Sequence, residues 1–199
     1  MSGESRPKSE DVELPNPTSF DDYSFKVKQA MVRKKYKILD SDDEPVFKAK
    51  PKLMKMKDEI PIKNMDDEVV ARVKARQRMD VSGSYDVVDE ETGEKIAVLD
   101  SQLDFLTQNW TVREPENESK VAELQSRSKI YGALRSISEI MQLLPHRYDI
   151  YEPQDNDIGS AEGQLSRKDT YEVNYSKDTD LNSFVLALTI ISIDAFEEN

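Results

Sequence analysis

The stretch Phe184-Val-Leu-Ala-Leu-Thr-Ile-Ile-Ser-Ile193 is apolar at nearly every position. A helix that is apolar all round is buried all round, either in a protein core or in lipid. The run of about ten residues is shorter than the roughly 20 that a membrane span needs. Three residues suited to cap a helix N-terminus come just before it: Asp180, Asn182 and Ser183. We therefore predict a buried helix over 180–196, with a central β-strand as the alternative because Val, Ile and Thr are frequent.

Upstream of this stretch, one pattern occurs five times: an alternating run, an acidic turn and a second alternating run. The copies pair Tyr36–Asp40 with Pro45–Lys50, Ile60–Lys63 with Val69–Ala75, Tyr85–Asp89 with Ile96–Leu99, Trp110–Glu114 with Val121–Leu124, and Tyr148–Glu152 with Ile158–Ala161. Alternation with period two is typical of strands that bury one face. Asp, Asn, Gly and Pro at the tips favour tight turns. The pattern predicts a train of β-hairpins.

Further strands are predicted at Phe25–Gln29, Leu103–Thr107 and Thr170–Tyr175, which makes roughly a dozen. Antiparallel strands in this number form either a sandwich or a closed barrel. A two-layer sandwich has no room for a helix that is apolar all round, whereas a wide barrel has. We predict a mainly β protein: an antiparallel closed barrel of about twelve strands around a buried C-terminal helix. It forms a single domain over 20–199, preceded by a polar, proline-containing tail over 1–19 that we expect to be disordered.

One segment interrupts the hairpins. Between Ser128 and Leu144, apolar residues recur at helical spacing: Ile130, Leu134, Ile137, Met141 and Leu144. This spacing predicts an amphipathic helix that Pro145 ends. Either it closes the barrel mouth or lies along the barrel side, or its apolar face docks on a membrane, a partner protein or a second copy of the chain.

Composition limits the functional classes. The 199 residues include no cysteine and one histidine, His146, so the usual nucleophile and base pairs of enzymes are lacking. We expect neither catalysis nor a cofactor nor a metal centre. The acidic turns that contain Asp40, Asp42 and Asp155 offer oxygen ligands of the kind that calcium prefers, but they lack the spacing of an EF-hand. We see no N-terminal apolar signal segment and expect a cytoplasmic protein.

The charge is unevenly distributed. The chain carries a net charge of −12, which disfavours nucleic acid and anionic membranes as partners of the whole surface. Residues 26–78 nevertheless hold sixteen Lys or Arg and nine Asp or Glu, a net of +7, so the remainder carries −19.

Within this basic third, cationic residues alternate along predicted strands in two sets: Lys48, Lys50 and Lys52, and Arg72, Lys74 and Arg76. Period two places each set on one outer face, with Val73 and Ala75 facing inward. Lys34, Lys35 and Lys37 would join them if the first hairpins are neighbours. Grouped Lys and Arg can bind phosphate by charge-assisted hydrogen bonds. The alternative is a solvated barrel exterior without a ligand.

The train of Tyr-x-Ile-x-Asp hairpins, followed by Asp169-Thr-Tyr-Glu-Val173 and a hydrophobic helix ending in Ile193-Asp194-Ala195, resembles the LURP-one-related proteins. These belong to a superfamily with the phospholipid scramblases and the Tubby C-terminal domain. The likeness extends from about Tyr23 to Phe196. It implies a twelve-stranded antiparallel barrel around a central C-terminal helix, and the helix at 128–144 would be a local elaboration.

The resemblance gives a direction for function. Tubby-like domains bind phosphoinositide headgroups through cationic residues on the barrel exterior. Scramblase-like members associate with membranes, often through a lipidated Cys-rich segment that this chain lacks. We therefore expect a non-enzymatic binding or scaffold protein. It would engage anionic headgroups, and so attach peripherally to a membrane, through the cationic strands. The alternative is a protein-interaction module built on the helix at 128–144.

Overall fold

The computed structural model describes residues 20–30, 35–51, 59–78, 82–103, 108–126, 147–164 and 167–197. These residues form twelve strands and one helix. The strands are β1 (Ser24–Ala30), β2 (Lys35–Leu39), β3 (Pro45–Ala49), β4 (Glu59–Lys63), β5 (Val69–Arg78), β6 (Ser82–Asp89), β7 (Lys95–Leu103), β8 (Gln108–Arg113), β9 (Lys120–Ser126), β10 (Arg147–Glu152), β11 (Asn156–Gln164) and β12 (Arg167–Tyr175), and the helix is α1 (Ser183–Glu197).

The twelve strands form a closed antiparallel barrel in which each strand pairs with its neighbours in sequence. The first and last strands close it, with Ser24 opposite Asn174 and Lys28 opposite Thr170. Each strand therefore has a partner on both sides, although β3 and β4 share only two opposed pairs, Lys48 with Lys63 and Ala49 with Ile62. Closure reduces the exposed edges at which sheets aggregate. The predicted fold class is confirmed.

All five predicted hairpins are present, and their tips lie at one end of the barrel because each joins an even-numbered strand to the next odd-numbered one. Polar side chains at the tips hold their own turns together. The Asp40 carboxylate accepts hydrogen bonds from the backbone N–H groups of Asp42 (3.0 Å) and Glu44 (2.8 Å). In the next tip, the Asn64 side chain accepts the equivalent bonds from Asp66 and Glu68. The acidic cluster at Asp40 therefore contributes to turn formation.

Helix α1 fills the barrel. Its side chains from Phe184 to Ile193 are all buried, most of them completely. Of the three proposed capping residues, Asn182 provides the cap: its side-chain oxygen accepts the N–H of Val185 at 3.1 Å. The helix begins three residues later than predicted and extends one residue further.

The two polar residues in the middle of α1 are satisfied within the helix. The Thr189 hydroxyl donates to the carbonyl of Val185 (2.9 Å), and the Ser192 hydroxyl donates to that of Leu188 (2.8 Å). Buried hydroxyls without partners would be costly. This local bonding explains how the helix can be buried on every side while containing Thr and Ser.

Aromatic rings hold both ends of α1. Near its start, the rings of Phe47 and Phe184 meet edge to face at 5.0 Å between centroids. Near its end, Phe196 stacks on Tyr85 at 4.4 Å, and Tyr85 stacks in turn on Trp110 at 5.7 Å. Such pairs add to the free energy of burial.

Three predictions fall wholly or partly outside the described residues. Of the separate strand predicted at Leu103–Thr107, only Leu103 is described, as the last residue of β7, and 104–107 lie outside the described residues. The tail over 1–19 and the amphipathic helix over 128–144, with Ile130, Leu134, Ile137 and Met141, lie outside the described residues.

Candidate anion-binding site

Four lysines lie side by side across the outer surface of β1 to β4. In the strand registers, Lys28 is opposite Lys37, Lys37 is opposite Lys48, and Lys48 is opposite Lys63. We call these four residues the lysine row. Neighbouring strands are about 4.8 Å apart, so the row spans about 14 Å.

Strand alternation explains why all four lysines point outward. Each has a buried apolar neighbour in its own strand: Val27, Ile38, Phe47 and Ile62. Successive side chains of a strand point to opposite faces, so an apolar residue directed into the barrel places the adjacent lysine on the exterior. The same hydrophobic pattern that builds the core thus aligns the charges.

A second line of cations lies next to the lysine row. Lys35 and Lys50 adjoin Tyr36 and Ala49, which are opposite each other in β2 and β3. Together with the row they border a groove of about 490 Å³. The groove is lined by Lys28, Gln29, Ala30, Lys35, Tyr36, Lys37, Lys48, Ala49, Lys50, Pro61, Lys63 and Asp67. Six lysines and one aspartate make its lining strongly cationic.

Asp67 is the counter-ion of one end of the row. Its carboxylate lies 3.1 Å from the Lys48 ammonium and 3.5 Å from that of Lys63. The hydrogen bond from Lys48, followed by the positive charge of that residue, lowers the pKa of Asp67 from its ordinary value. Lys48 also donates to the Met65 carbonyl at 3.3 Å.

The other lysines of the groove differ from Lys48 and Lys63. Within the described ranges, no ion pair is formed by Lys28, Lys35, Lys37 or Lys50, all of which are exposed. Like charges directly opposite each other on a sheet are destabilising. The protein therefore maintains a repulsive arrangement on this face that a bound anion would relieve.

The structure separates the six site residues predicted from sequence. Lys48 and Lys50 line the groove. Lys52 lies outside the described residues. Arg72, Lys74 and Arg76 lie on β5, which pairs with the far side of β4. As predicted, Val73 is fully buried on the opposite face, whereas Ala75 is only half-buried.

The two arginines of β5 are held by carboxylates. Arg72 forms ion pairs with Glu59 and Glu90. These hydrogen bonds, the one to Glu90 first, raise the pKa of Arg72, and the bond from Arg72 lowers the pKa of Glu90. Arg72 is therefore committed to internal pairs and less available to an external anion.

Arg76 is held in the same way, by Asp86 and by Glu118, the latter at 2.9 Å. Lys74 stays exposed between these pairs, opposite Glu59 on β4 and Asp86 on β6. The outer face of β5 is thus electrostatically balanced, in contrast to β1–β3.

Two groove residues, Lys28 and Lys63, were missed from sequence. Lys63 stands alone between Ile62 and the turn residue Asn64, so its own segment shows no cationic alternation. Only the register of β3 with β4 reveals that it faces Lys48. Lys35 and Lys37, which depended on the first hairpins being neighbours, do join the groove.

No group of three or more His, Asp and Glu side chains is placed to hold a metal ion in the part of the chain that the structure describes. In that same part, no helix combines the length and hydrophobicity needed to cross a membrane.

The fold defines this protein as a closed twelve-stranded barrel built around a central helix. The family model of LURP-one-related proteins matches residues 46–193, and the chain belongs to that family. Its fold is similar to the X-ray structure of a protein from Arabidopsis thaliana, with a TM-score of 0.55, 10% identity, and coverage of 91% of this chain and 96% of that one. At this identity the likeness concerns the fold alone. A search of curated proteins found no match.

Proposed function

We propose that this LURP-one-related barrel is a non-enzymatic binding protein. Its ligand would be an anionic phospholipid or phosphoinositide-like headgroup, held in the groove that the lysine row borders. The observation that carries the proposal is the direct opposition of Lys28, Lys37 and Lys48 across three strands. On a surface that served only solubility, neighbouring residues of opposite charge would be more stable than neighbouring lysines.

The chemistry of the groove suits phosphate. Each lysine ammonium offers three donors, and phosphate oxygens accept charge-assisted hydrogen bonds. The strands fix the positions of the lysine backbones, so only the side chains need to be ordered on binding. A headgroup with several phosphate oxygens can contact more than one lysine at once, because adjacent members of the row are about 5 Å apart.

A vesicle-binding assay tests this proposal. The wild-type protein should co-sediment with phosphatidylcholine vesicles that contain an anionic phospholipid, and not with phosphatidylcholine alone. Binding should weaken as salt is added, since at 0.1 M salt the attraction between exposed charges is largely screened beyond about 10 Å. Lys37 and Lys50 form no ion pair with any described residue. Reversing both, Lys37→Glu and Lys50→Glu, should reduce binding by at least about tenfold, because two attractions become repulsions.

The matched control changes the same amount of charge elsewhere. Lys74 and Lys177 are also exposed and lie outside the groove lining. The double variant Lys74→Glu and Lys177→Glu should retain binding within about threefold, since remote charges are largely screened. Its melting curve is measured as well, because Lys74 lies opposite Glu59 and Asp86. The groove variant should melt no lower than the wild type. Lys37→Glu turns two repulsive pairs, with Lys28 and with Lys48, into attractive ones.

Two outcomes would count against the proposal. One is wild-type protein that ignores every anionic vesicle at low salt, which would leave the lysine row as a solvated exterior. The other is an equal loss in both double variants, which would indicate attraction by overall charge without a site.

A further inference from the structure

Asp67 is the one acidic residue among the described residues that line the groove. It projects from the tip of the β4–β5 hairpin toward the end of the lysine row. One oxygen of its carboxylate, Oδ1, contacts the ammonium groups of both Lys48 (3.1 Å) and Lys63 (3.5 Å). An oxygen anion between two ammonium groups is the arrangement that a bound phosphate oxygen would also adopt.

Resting on the function proposed above, we propose that Asp67 is an internal competitor for the ligand and sets the groove's selectivity. Its carboxylate occupies the place of one ligand oxygen between Lys48 and Lys63. A ligand that binds there must displace it. The groove is then selective for phosphomonoesters over singly charged phosphodiesters.

The charges explain the selectivity. A phosphomonoester carries about −1.5 to −2 charges at neutral pH, whereas a phosphodiester headgroup carries one. A phosphodiester that displaces Asp67 replaces one unit negative charge by another, so its attraction to the two lysines is little stronger than that of the carboxylate. A phosphomonoester brings a larger charge and three acceptor oxygens, and so gains attraction over the carboxylate it replaces.

Asp67 is also placed so that it can leave. Its side chain is 73% exposed although it contacts two lysines. An exposed ion pair contributes little, because water screens it. The residue adopts a positive φ of 72°, in a turn held by the Asn64 side chain and by the backbone bond from Asp67 to the Asn64 carbonyl (3.3 Å). Displacing the carboxylate therefore needs a side-chain rotation and leaves the turn intact.

The test compares Asp67→Asn with Asp66→Asn. Asn is among the residues that best tolerate a positive φ, so the turn should be kept at position 67. Asp66 is an exposed acid in the same turn, and it forms no ion pair with any described residue. Its substitution removes the same unit of charge. Asp66→Asn should melt with the wild type, and Asp67→Asn should melt at most about 4 °C lower, because it gives up only an exposed ion pair.

Binding is measured to phosphatidylcholine vesicles that contain either phosphatidic acid, a phosphomonoester, or phosphatidylglycerol, a phosphodiester, at matched surface charge. The wild type should prefer phosphatidic acid. Asp67→Asn should strengthen binding to phosphatidylglycerol by about two- to fivefold, because the ion pair that the ligand no longer has to displace is exposed and weak. Asp66→Asn should leave the preference unchanged. Soluble pyrophosphate, added as a competitor, separates recognition of the phosphate itself from a need for the vesicle surface.

The outcomes are distinct. Intact vesicle binding with the same preference in Asp67→Asn and wild type overturns the internal-competitor role and leaves the proposed function standing. Equal strengthening by both substitutions also overturns it, because bulk charge would then be sufficient. A wild-type protein that binds neither kind of vesicle overturns the proposed function itself.

Discussion

The hydroxyl of Tyr36 donates a hydrogen bond of 2.5 Å to the carboxylate of Asp194. This bond joins strand β2 to the last turns of helix α1, near the point where the apolar run ends. The same hydroxyl accepts a hydrogen bond from the Gln29 side chain at 3.2 Å. Apolar contacts alone would resist sliding of the helix along the barrel axis only weakly, since they lack direction. The polar contact fixes its position.

Tyr36→Phe should therefore lower the free energy of unfolding by about 1–3 kcal/mol, because it removes a hydrogen bond to a carboxylate. Urea denaturation monitored by the fluorescence of Trp110 measures the change. Asp194→Asn is the companion variant: its amide oxygen can still accept from Tyr36, so the loss should be smaller. Tyr36→Phe with wild-type stability would contradict a positioning role for this bond.

A charged substitution inside the buried helix α1 should have a larger effect on stability. Ile190 is fully buried, and Ile190→Asp would place a carboxylate in the barrel interior at a cost of several kcal/mol. Small domains have stabilities of about 5–15 kcal/mol, so we expect a protein that is insoluble or lacks a cooperative melting transition. Ile190→Val is the control and should cost about 0.5–1.5 kcal/mol. A soluble and cooperatively melting Asp variant would be inconsistent with a helix enclosed on every side.

Stability at high pH should depend on Tyr175. Its hydroxyl lies 2.6 Å from the Ser183 hydroxyl and donates to the Leu181 carbonyl at 3.3 Å. Burial raises the pKa of Tyr175 from 10.0 to about 12, although the bond with Ser183 opposes the shift. Between these two pH values the folded state holds a proton that the unfolded state has released. The associated stability is complete below about pH 10 and is lost as the pH rises toward about 12.

The wild type should accordingly lose more stability than Tyr175→Phe as the pH is raised from about 9 to about 12. The difference between the two unfolding curves removes the contributions of all other titrating groups. At neutral pH the variant should be less stable by about 1–2 kcal/mol, because Ser183 loses its partner. Parallel losses of stability in the two proteins at alkaline pH would rule out Tyr175 as the titrating group.

The secondary structure within each chain segment was predicted well, whereas the contacts between side chains of different segments were not. Alternation in the β2–β3 and β4–β5 segments gave the hairpins, because period two and turn residues are local properties. The helix followed from its uniform apolar composition and from Asn182. The same alternation made Arg72 and Lys48 look equivalent. They differ only through partners such as Glu90 and Asp67, which strand register and turn geometry bring close. Period two shows which face a charge lies on, but it does not show which charge lies opposite.

The seam between β1 and β12 has a consequence for protein synthesis. Ser24 and Asn174, which bond across it, are separated by 150 residues. At about 5–20 residues per second, a ribosome needs about 8–30 seconds to translate this interval. During that time the inward faces of the growing sheet lack α1, and β1 has an open edge. Exposure of this kind favours aggregation. The yield of a variant in cells will therefore depend on how its unfinished chain behaves as well as on the stability of the finished barrel.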